Sequence, residues 1–248
     1  MAPSTVRTVS PVMETAAELE ALATKLNPIV GYWDPMNLVD YDQFSVGQDA
    51  SIGFLRQAEI KHGRVAMAAF VGYIVQANGI CFPWGLTGET SFADISAAGG
   101  PPDQWDALPT AAKLQILLFI GFLEISSEST YILEQSGMKH YMKGGKPGAF
   151  PSIKSIYPHP IPLDLFDPFG LSKNASPEKK AKGLLAEINN GRLAQLGIMG
   201  FLAESKVPGS VPALSGIVKP YAGEVMAPFS AGDAGLPFVK DMLALAMF

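Results

Sequence analysis

Glu59, His62 and Arg64 stand together in Glu59-Ile60-Lys61-His62-Gly63-Arg64-Val65-Ala66, and the run returns at an offset of 128 residues as Glu187-Ile188-Asn189-Asn190-Gly191-Arg192-Leu193-Ala194. In each copy a carboxylate lies three positions before a second side chain with a lone pair, His62 or Asn190, so on a helix the two share one face. Carboxylate oxygen, imidazole nitrogen and amide oxygen can all be directed at a metal. A di-iron carboxylate bundle takes Glu-x-x-His from two helices and two further glutamates. Asn190 stands where the second histidine would be needed, and arginines compete for both glutamates, which excludes that site. What remains is a metal that accepts one axial ligand at a time from Glu, His, Asn or Gln.

The arginines set a second requirement. Ionisable groups at the mouth of an apolar helical run are expensive unless partnered. Glu59 and Arg64 are five apart and lie about 140° around a helix, outside the favourable i+3 and i+4 spacings, and Glu187 and Arg192 repeat the mismatch. Two helices running side by side in the same direction resolve it: Glu59 meets Arg192 while Arg64 meets Glu187. Gly63 and Gly191 then let the backbones approach closely at the crossing.

The elements that must hold these groups are long helices. The first is expected after the caps Asp49 and Ser51 and ends at Asn78-Gly79 ahead of Pro83; no residue from Val65 to Trp84 is charged, a length that matches a bilayer core. A buried helix of a soluble protein is the competing reading of that run. The second helix, weaker by hydropathy, carries Leu114 to Leu123 and places Glu124 and Glu128 at i, i+4, a repulsive pair unless one is paired, protonated or bound to something positive. For Glu128 a helix end reaching water suffices. The third helix begins with the cap Ser176, Pro177 and Glu178 in order and stops before Pro208-Gly209. The fold expected is thus an all-α membrane protein with three transmembrane helices, the first and third long, tilted, crossed and related by pseudo-two-fold symmetry. It reads as one domain over 1–248: an N-terminal segment 1–48, helices at 51–79, 110–134 and 177–205, and a C-terminal tail 206–248.

Composition agrees with a membrane. Hydrophobic residues make up 48% and charged residues 17% of the 248, against about 25% charged in an average soluble domain, and mean hydropathy is +0.21. A net charge of −5 gives no electrostatic case for nucleic acid. The single Cys81 excludes an intramolecular disulfide and, set among apolar residues, is expected to be a buried structural thiol rather than a nucleophile. Met1 to Asn27 has no continuous apolar core and reads as a polar lead with a short helix at Ala16 to Leu26. The stretch Gly85 to Pro109 holds Glu89, Asp94, Asp103 and Asp106 without a cation, whereas the segment after helix two carries Lys139, Lys143, Lys146, Lys154, Lys173, Lys179, Lys180 and Lys182. The positive-inside rule puts these on opposite sides, so helices one and three insert in the same direction, as the ion pairs require. The acidic N-terminal segment does not help that rule.

Magnesium in a chlorin ring is a metal that wants one axial ligand of this varied kind, which favours chlorophyll over a caged ion. The doubled Glu-Ile-x-His/Asn-Gly-Arg run, the aromatic-Asp-Pro segments at Trp33-Asp34-Pro35 and Phe166-Asp167-Pro168, and Lys143-Gly144-Gly145-Lys146-Pro147-Gly148 resemble the light-harvesting chlorophyll-binding superfamily over about Tyr32 to Lys206. Details of the second copy and of the Gly-Gly-Lys-Pro-Gly loop resemble its chlorophyll a/c branch, with fucoxanthin or peridinin carotenoids.

The resemblance implies that Glu59, His62, Glu187 and Asn190 are axial ligands of chlorophyll magnesium, with Arg64 and Arg192 neutralising the glutamates. Gln115 and Glu124 match further ligand positions. Glu204 stands where the family has a glutamine, which puts that site in doubt, and Gln195 is an additional ligand or a packing residue. Trp33, Asp34, Pro35, Asp167 and Pro168 resemble loops that hold carotenoid end groups, and no free metal ion is implied. His140 and His159 read as solvated loop histidines. The implied cofactors are chlorophyll a, chlorophyll c and carotenoids of the peridinin or fucoxanthin and diadinoxanthin types. The implied role is a non-enzymatic antenna in the plastid thylakoid membrane, spanning it several times, in contact with thylakoid lipids, other antenna subunits and a photosystem I or II core. A photoprotective quencher of the same fold, with Glu89, Asp94, Asp103 and Asp106 sensing pH, is the alternative; a transporter with parallel repeats is a remote third reading.

Overall fold

A computed structural model describes residues 15–42, 45–152, 167, 169–171 and 174–245. Lys154, His159, Phe166, Pro168 and Lys173 lie outside them. Among the described residues the chain is helical, with Gly85 and Ser91 forming an isolated bridge. Three helices are long: α2 (Gln48–Ala77), α5 (Thr110–Glu128) and α7 (Pro177–Lys206). Short ones accompany them: α1 (Ala16–Leu26), α3 (Phe92–Ala97), α4 (Pro101–Asp106), α6 (Thr130–Gln135) and α8 (Val239–Leu245).

The start of α2 corrects the expected caps, because Asp49 and Ser51 lie inside the helix. Asp42 does the anchoring instead: its carboxylate accepts the Val46 and Gly47 amides at 2.9 and 3.0 Å and the Ser51 hydroxyl at 3.3 Å. The second helix does not run unbroken to residue 134. Ser127 Oγ donates to the Glu124 carbonyl at 2.8 Å, a local bond that competes with the helical ladder, and Ser129 is extended between α5 and α6. Ser176 accepts the Lys179 amide at 3.2 Å and caps α7. At 30 residues each, α2 and α7 are about 45 Å long, more than a bilayer core of about 30 Å.

The hydropathy ranking reverses. Among the described residues α5 is the helix long and apolar enough to cross a membrane, with a mean hydropathy of 1.4. The reason lies in the helix ends: α2 stops at Ala77, so any 18-residue window within it includes Lys61 and Arg64, and any such window within α7 includes Arg192 with Glu187 or Glu204. Cys81 is exposed, which corrects the expected buried thiol. It follows the end of α2, beside Phe82 and Trp84, whose rings stack at 4.6 Å and are also exposed.

The chain divides into two compact units, Met1–Arg64 with Leu123–Gly191, and Val65–Phe122 with Arg192–Phe248, where the sequence reads as one domain. Within the second unit Phe201 stacks on Phe70 and Tyr73 at 5.1 and 4.7 Å, and the tail is pinned by polar contacts. The Tyr221 hydroxyl donates to Asp106 at 2.7 Å, Trp105 Nε1 donates to the Pro228 carbonyl at 2.9 Å, and the Tyr221 amide donates to the Ser205 carbonyl at 2.7 Å. Deepest is Lys113, which is fully buried and donates to Asp233 at 2.6 Å, while Thr110 adds a bond of 2.5 Å.

Burial alone pushes the Asp233 carboxyl up, but the Lys113, Thr110 and Ser230 hydrogen bonds outweigh it and hold the group down at about 2. A depressed carboxylate contributes stability that is fully present above its unfolded value of about 3.9 and lost as pH falls towards the folded one. Melting temperature is therefore expected to drop between about pH 4 and pH 2, and Asp233→Asn to flatten that acid arm while lowering stability at neutral pH. An acid arm unchanged in Asp233→Asn would contradict this role.

Candidate functional site

The repeated residues through Arg64 and through Gly191 lie in the first unit. Gly63 of α2 and Gly191 of α7 touch backbone to backbone: a Cβ built on Gly63 lies 3.1 Å from the Gly191 Cα, and one built on Gly191 lies 3.0 Å from the Gly63 Cα. Next to them Arg64 Nε donates to Glu187 Oε1 at 2.6 Å. Arg64 Nη1 donates to the Gly148 carbonyl at 2.6 Å, and the Gly148 amide donates to Gln57 Oε1 at 2.6 Å. Gly148 adopts φ +76°, and a Cβ there would lie 2.8 Å from Ile60 Cγ2. The glycine-lysine-proline loop thus locks the arginine from behind.

Glu59 has a partner that the sequence reading passed over. Arg56, three positions earlier and buried, pairs with it on the same helix, so local pairing does supply a cation. Glu124 is neutralised as well: Lys61 Nζ pairs with Glu124 Oε2 and lies 3.7 Å from Glu128 Oε1, while the Tyr141 hydroxyl donates to Glu128 at 3.1 Å. This answers the repulsion between Glu124 and Glu128.

The side chains fit an axial-ligand role. His62 is exposed, and its Nδ1 lies 2.8 Å from the Ala58 carbonyl. A carbonyl only accepts, so Nδ1 carries the proton and Nε2 presents its lone pair outwards. Asn190, Gln115 and Glu124 are exposed, Glu187 and Gln195 half-buried. Glu187 and Glu124 each give one oxygen to a cation of α2 and keep the other without a protein hydrogen bond among the described residues. The helices that carry them leave bulky apolar groups uncovered, with Ile125 75%, Leu196 74% and Leu118 71% exposed. Such faces want a lipid or a flat apolar ligand. Residues 18–206 match the family model of chlorophyll A-B binding proteins.

The chain belongs to the chlorophyll A-B binding protein family. Among its relatives in that family, the chloroplastic fucoxanthin-chlorophyll a-c binding protein F of Phaeodactylum tricornutum is 35% identical over 184 residues, covering 73% of this chain and 76% of the relative. The chloroplastic fucoxanthin-chlorophyll a-c binding protein of Trieres chinensis is 33% identical over 195 residues, 75% of this chain and 78% of its own. Protein E of the same description from Macrocystis pyrifera is 32% identical over 184 residues, 73% and 71% of the two chains. The family is one of pigment-binding proteins, not of enzymes. Its match ends at Lys206, before the tail pinned by Tyr221 and Asp233.

Glu204 is a correction to the ligand set. It is buried, and its two oxygens accept the Gly209 and Val211 amides at 2.8 Å each, which turns the carboxylate onto the loop that ends α7. The Asp-Pro loops use one turn twice: the Asp34 carbonyl accepts the Asn37 amide at 3.1 Å and the Asp167 carbonyl the Gly170 amide at 2.9 Å. Their carboxylates accept Val39 and Leu171 amides at 3.0 and 2.7 Å. Trp33 and Pro35 are exposed, and a cavity of about 740 Å³ lined by Ile60, Arg64, Asp167 and Glu187 opens beside the second loop. His140 is not simply solvated. It is half-buried, accepts the Met142 amide on Nδ1 at 3.2 Å, and burial lowers its pKa, with Lys143 lowering it further against the Glu128 carboxylate.

Proposed function

We propose that this chain is a photosynthetic antenna protein, binding chlorophyll a, chlorophyll c and fucoxanthin-type or related carotenoids without a covalent tether and passing excitation energy to a photosystem. The observation that carries the reading is the glycine crossing with Glu187 held by Arg64, which leaves an ion-paired carboxylate whose second oxygen has no protein hydrogen bond among the described residues, on helices that expose bulky apolar side chains. The relatives' names, fucoxanthin-chlorophyll a-c binding proteins of the chloroplast, support the pigment set and the plastid location. Glu59, His62, Glu187, Asn190, Gln115, Glu124 and, as an extra site, Gln195 would hold the magnesium atoms. The Asp34 and Asp167 loops would receive carotenoid end groups. Bound chlorophyll would supply the light absorption; the chain's part is to hold, space and electrostatically balance it.

In this reading α2, α5 and α7 span the thylakoid membrane, with α2 and α7 related by a pseudo-two-fold axis and Glu59 also meeting Arg192. The self-matching Gly63 and Gly191 contact and the paired Asp-Pro turns support that symmetry. Neighbouring antenna subunits, a photosystem core and thylakoid lipids would cover the exposed apolar faces. The quenching alternative is not favoured, since three of its four sensor carboxylates are engaged. Asp94 is lowered by its hydrogen bonds to Ser91, at 2.6 Å to the hydroxyl; Asp103 accepts the Gly100 amide at 2.9 Å; and Asp106 accepts the Tyr221 hydroxyl.

The test is an absorption spectrum and pigment extract of protein purified from its native membrane. Chlorophyll a, chlorophyll c and a carotenoid released by solvent alone are expected; colourless, folded protein would end the reading.

A further inference from the structure

We infer that Lys61 is the charge-balancing partner of the Glu124 ligand site, a third carboxylate and cation pair that the repeat does not announce. The inference rests on the proposed ligation of a chlorophyll magnesium by Glu124. Lys61 and Arg64 are three apart on α2 and so point along one side of it. Arg64 takes one oxygen of Glu187 and Lys61 takes one oxygen of Glu124, and in both cases the second oxygen has no protein hydrogen bond among the described residues. One helix therefore supplies the counter-charge for carboxylates on both other long helices.

The reason such a cation is needed is electrostatic. A carboxylate that lies against a flat apolar ligand loses water and must be offset by a nearby positive charge. An amide ligand such as Gln carries no charge and needs no offset. Lys61 also lies 3.7 Å from Glu128, so a single ammonium serves two carboxylates, and the Tyr141 hydroxyl relieves part of the second. Lysine suits this place because its three donors on a flexible stem can serve two acceptors at once. Lys61 is thus a positioning residue: it acts on the pigment through Glu124.

The test is the chlorophyll-to-protein ratio and the red absorption band of full-length protein reconstituted with one pigment extract. Lys61→Met is expected to lose one chlorophyll, Lys61→Arg to keep all, and the double variant Lys61→Met with Glu124→Gln to regain the missing chlorophyll and its share of the band. A mere clamp between helices would not be rescued by Glu124→Gln, so a double variant as depleted as Lys61→Met overturns the inference. Full chlorophyll in Lys61→Met with one chlorophyll missing from Glu124→Leu also overturns it while leaving the ligation intact. Full chlorophyll in Glu124→Leu overturns the ligation itself.

Discussion

Arg64→Leu is expected to lower stability by about 2–4 kcal/mol. The variant breaks two charged contacts at once, to Glu187 and to the Gly148 carbonyl, and leaves both acceptors without that donor. Breaking a fully buried pair costs roughly 3–5 kcal/mol; the figure is reduced here because the Arg64 and Glu187 side chains are 40% and 31% exposed. Gly148 loses its anchor too, which frees the loop whose amide meets Gln57. Thermal melting of the reconstituted protein gives the readout, and an unchanged melting temperature would remove the ion pair from the account. Arg64→Lys is expected to recover only part of the loss, because an ammonium cannot donate in the two fixed directions of the guanidinium.

Gly63→Leu is expected to stop the assembly outright, and Gly63→Ala to cost about 1–3 kcal/mol. The contact is backbone against backbone, with the new Cβ 3.1 Å from the Gly191 Cα, so no side chain can rotate away. The control is Gly121→Ala on α5, where a Cβ meets nothing within 4 Å; replacing a mid-helix glycine there is expected to be neutral or to stabilise by up to about 1 kcal/mol. Equal melting temperatures for Gly63→Ala and Gly121→Ala would mean that the crossing is looser than described.

The crossing was legible in the sequence because it is written twice. Glu, Gly and Arg recur at one offset, and the five-residue gap between Glu and Arg forces one to look across helices. Arg56 is legible as well, because its i, i+3 spacing to Glu59 is a plain local signal. Lys61 with Glu124 and Lys113 with Asp233 have no such signal, since each joins residues far apart in the chain and occurs once. Gly148 was readable as part of a family-like loop, but its job behind Arg64 depends on a positive φ and on Ile60, which only the folded chain brings together. Glu204 matched a ligand position of the family only by alignment with its glutamine, and in the fold it anchors a loop, because the turn at Pro208-Gly209 brings the Gly209 and Val211 amides back onto it. Cys81 was misplaced by its apolar neighbours, which describe a helix end open to its surroundings rather than a core.

The most direct test of the central claim is the chlorophyll count per protein in Arg64→Leu beside His62→Leu, both reconstituted with the same pigment extract. His62 offers one lone pair and holds no ion pair among the described residues, so His62→Leu is expected to lose a single chlorophyll and melt near the unaltered protein. Arg64→Leu, which keeps every proposed ligand, is expected to lose the Glu187-held chlorophyll and others at the loosened crossing, and to melt lower. Full chlorophyll content and unchanged melting in Arg64→Leu would contradict the claim that the ion-paired crossing builds the pigment sites.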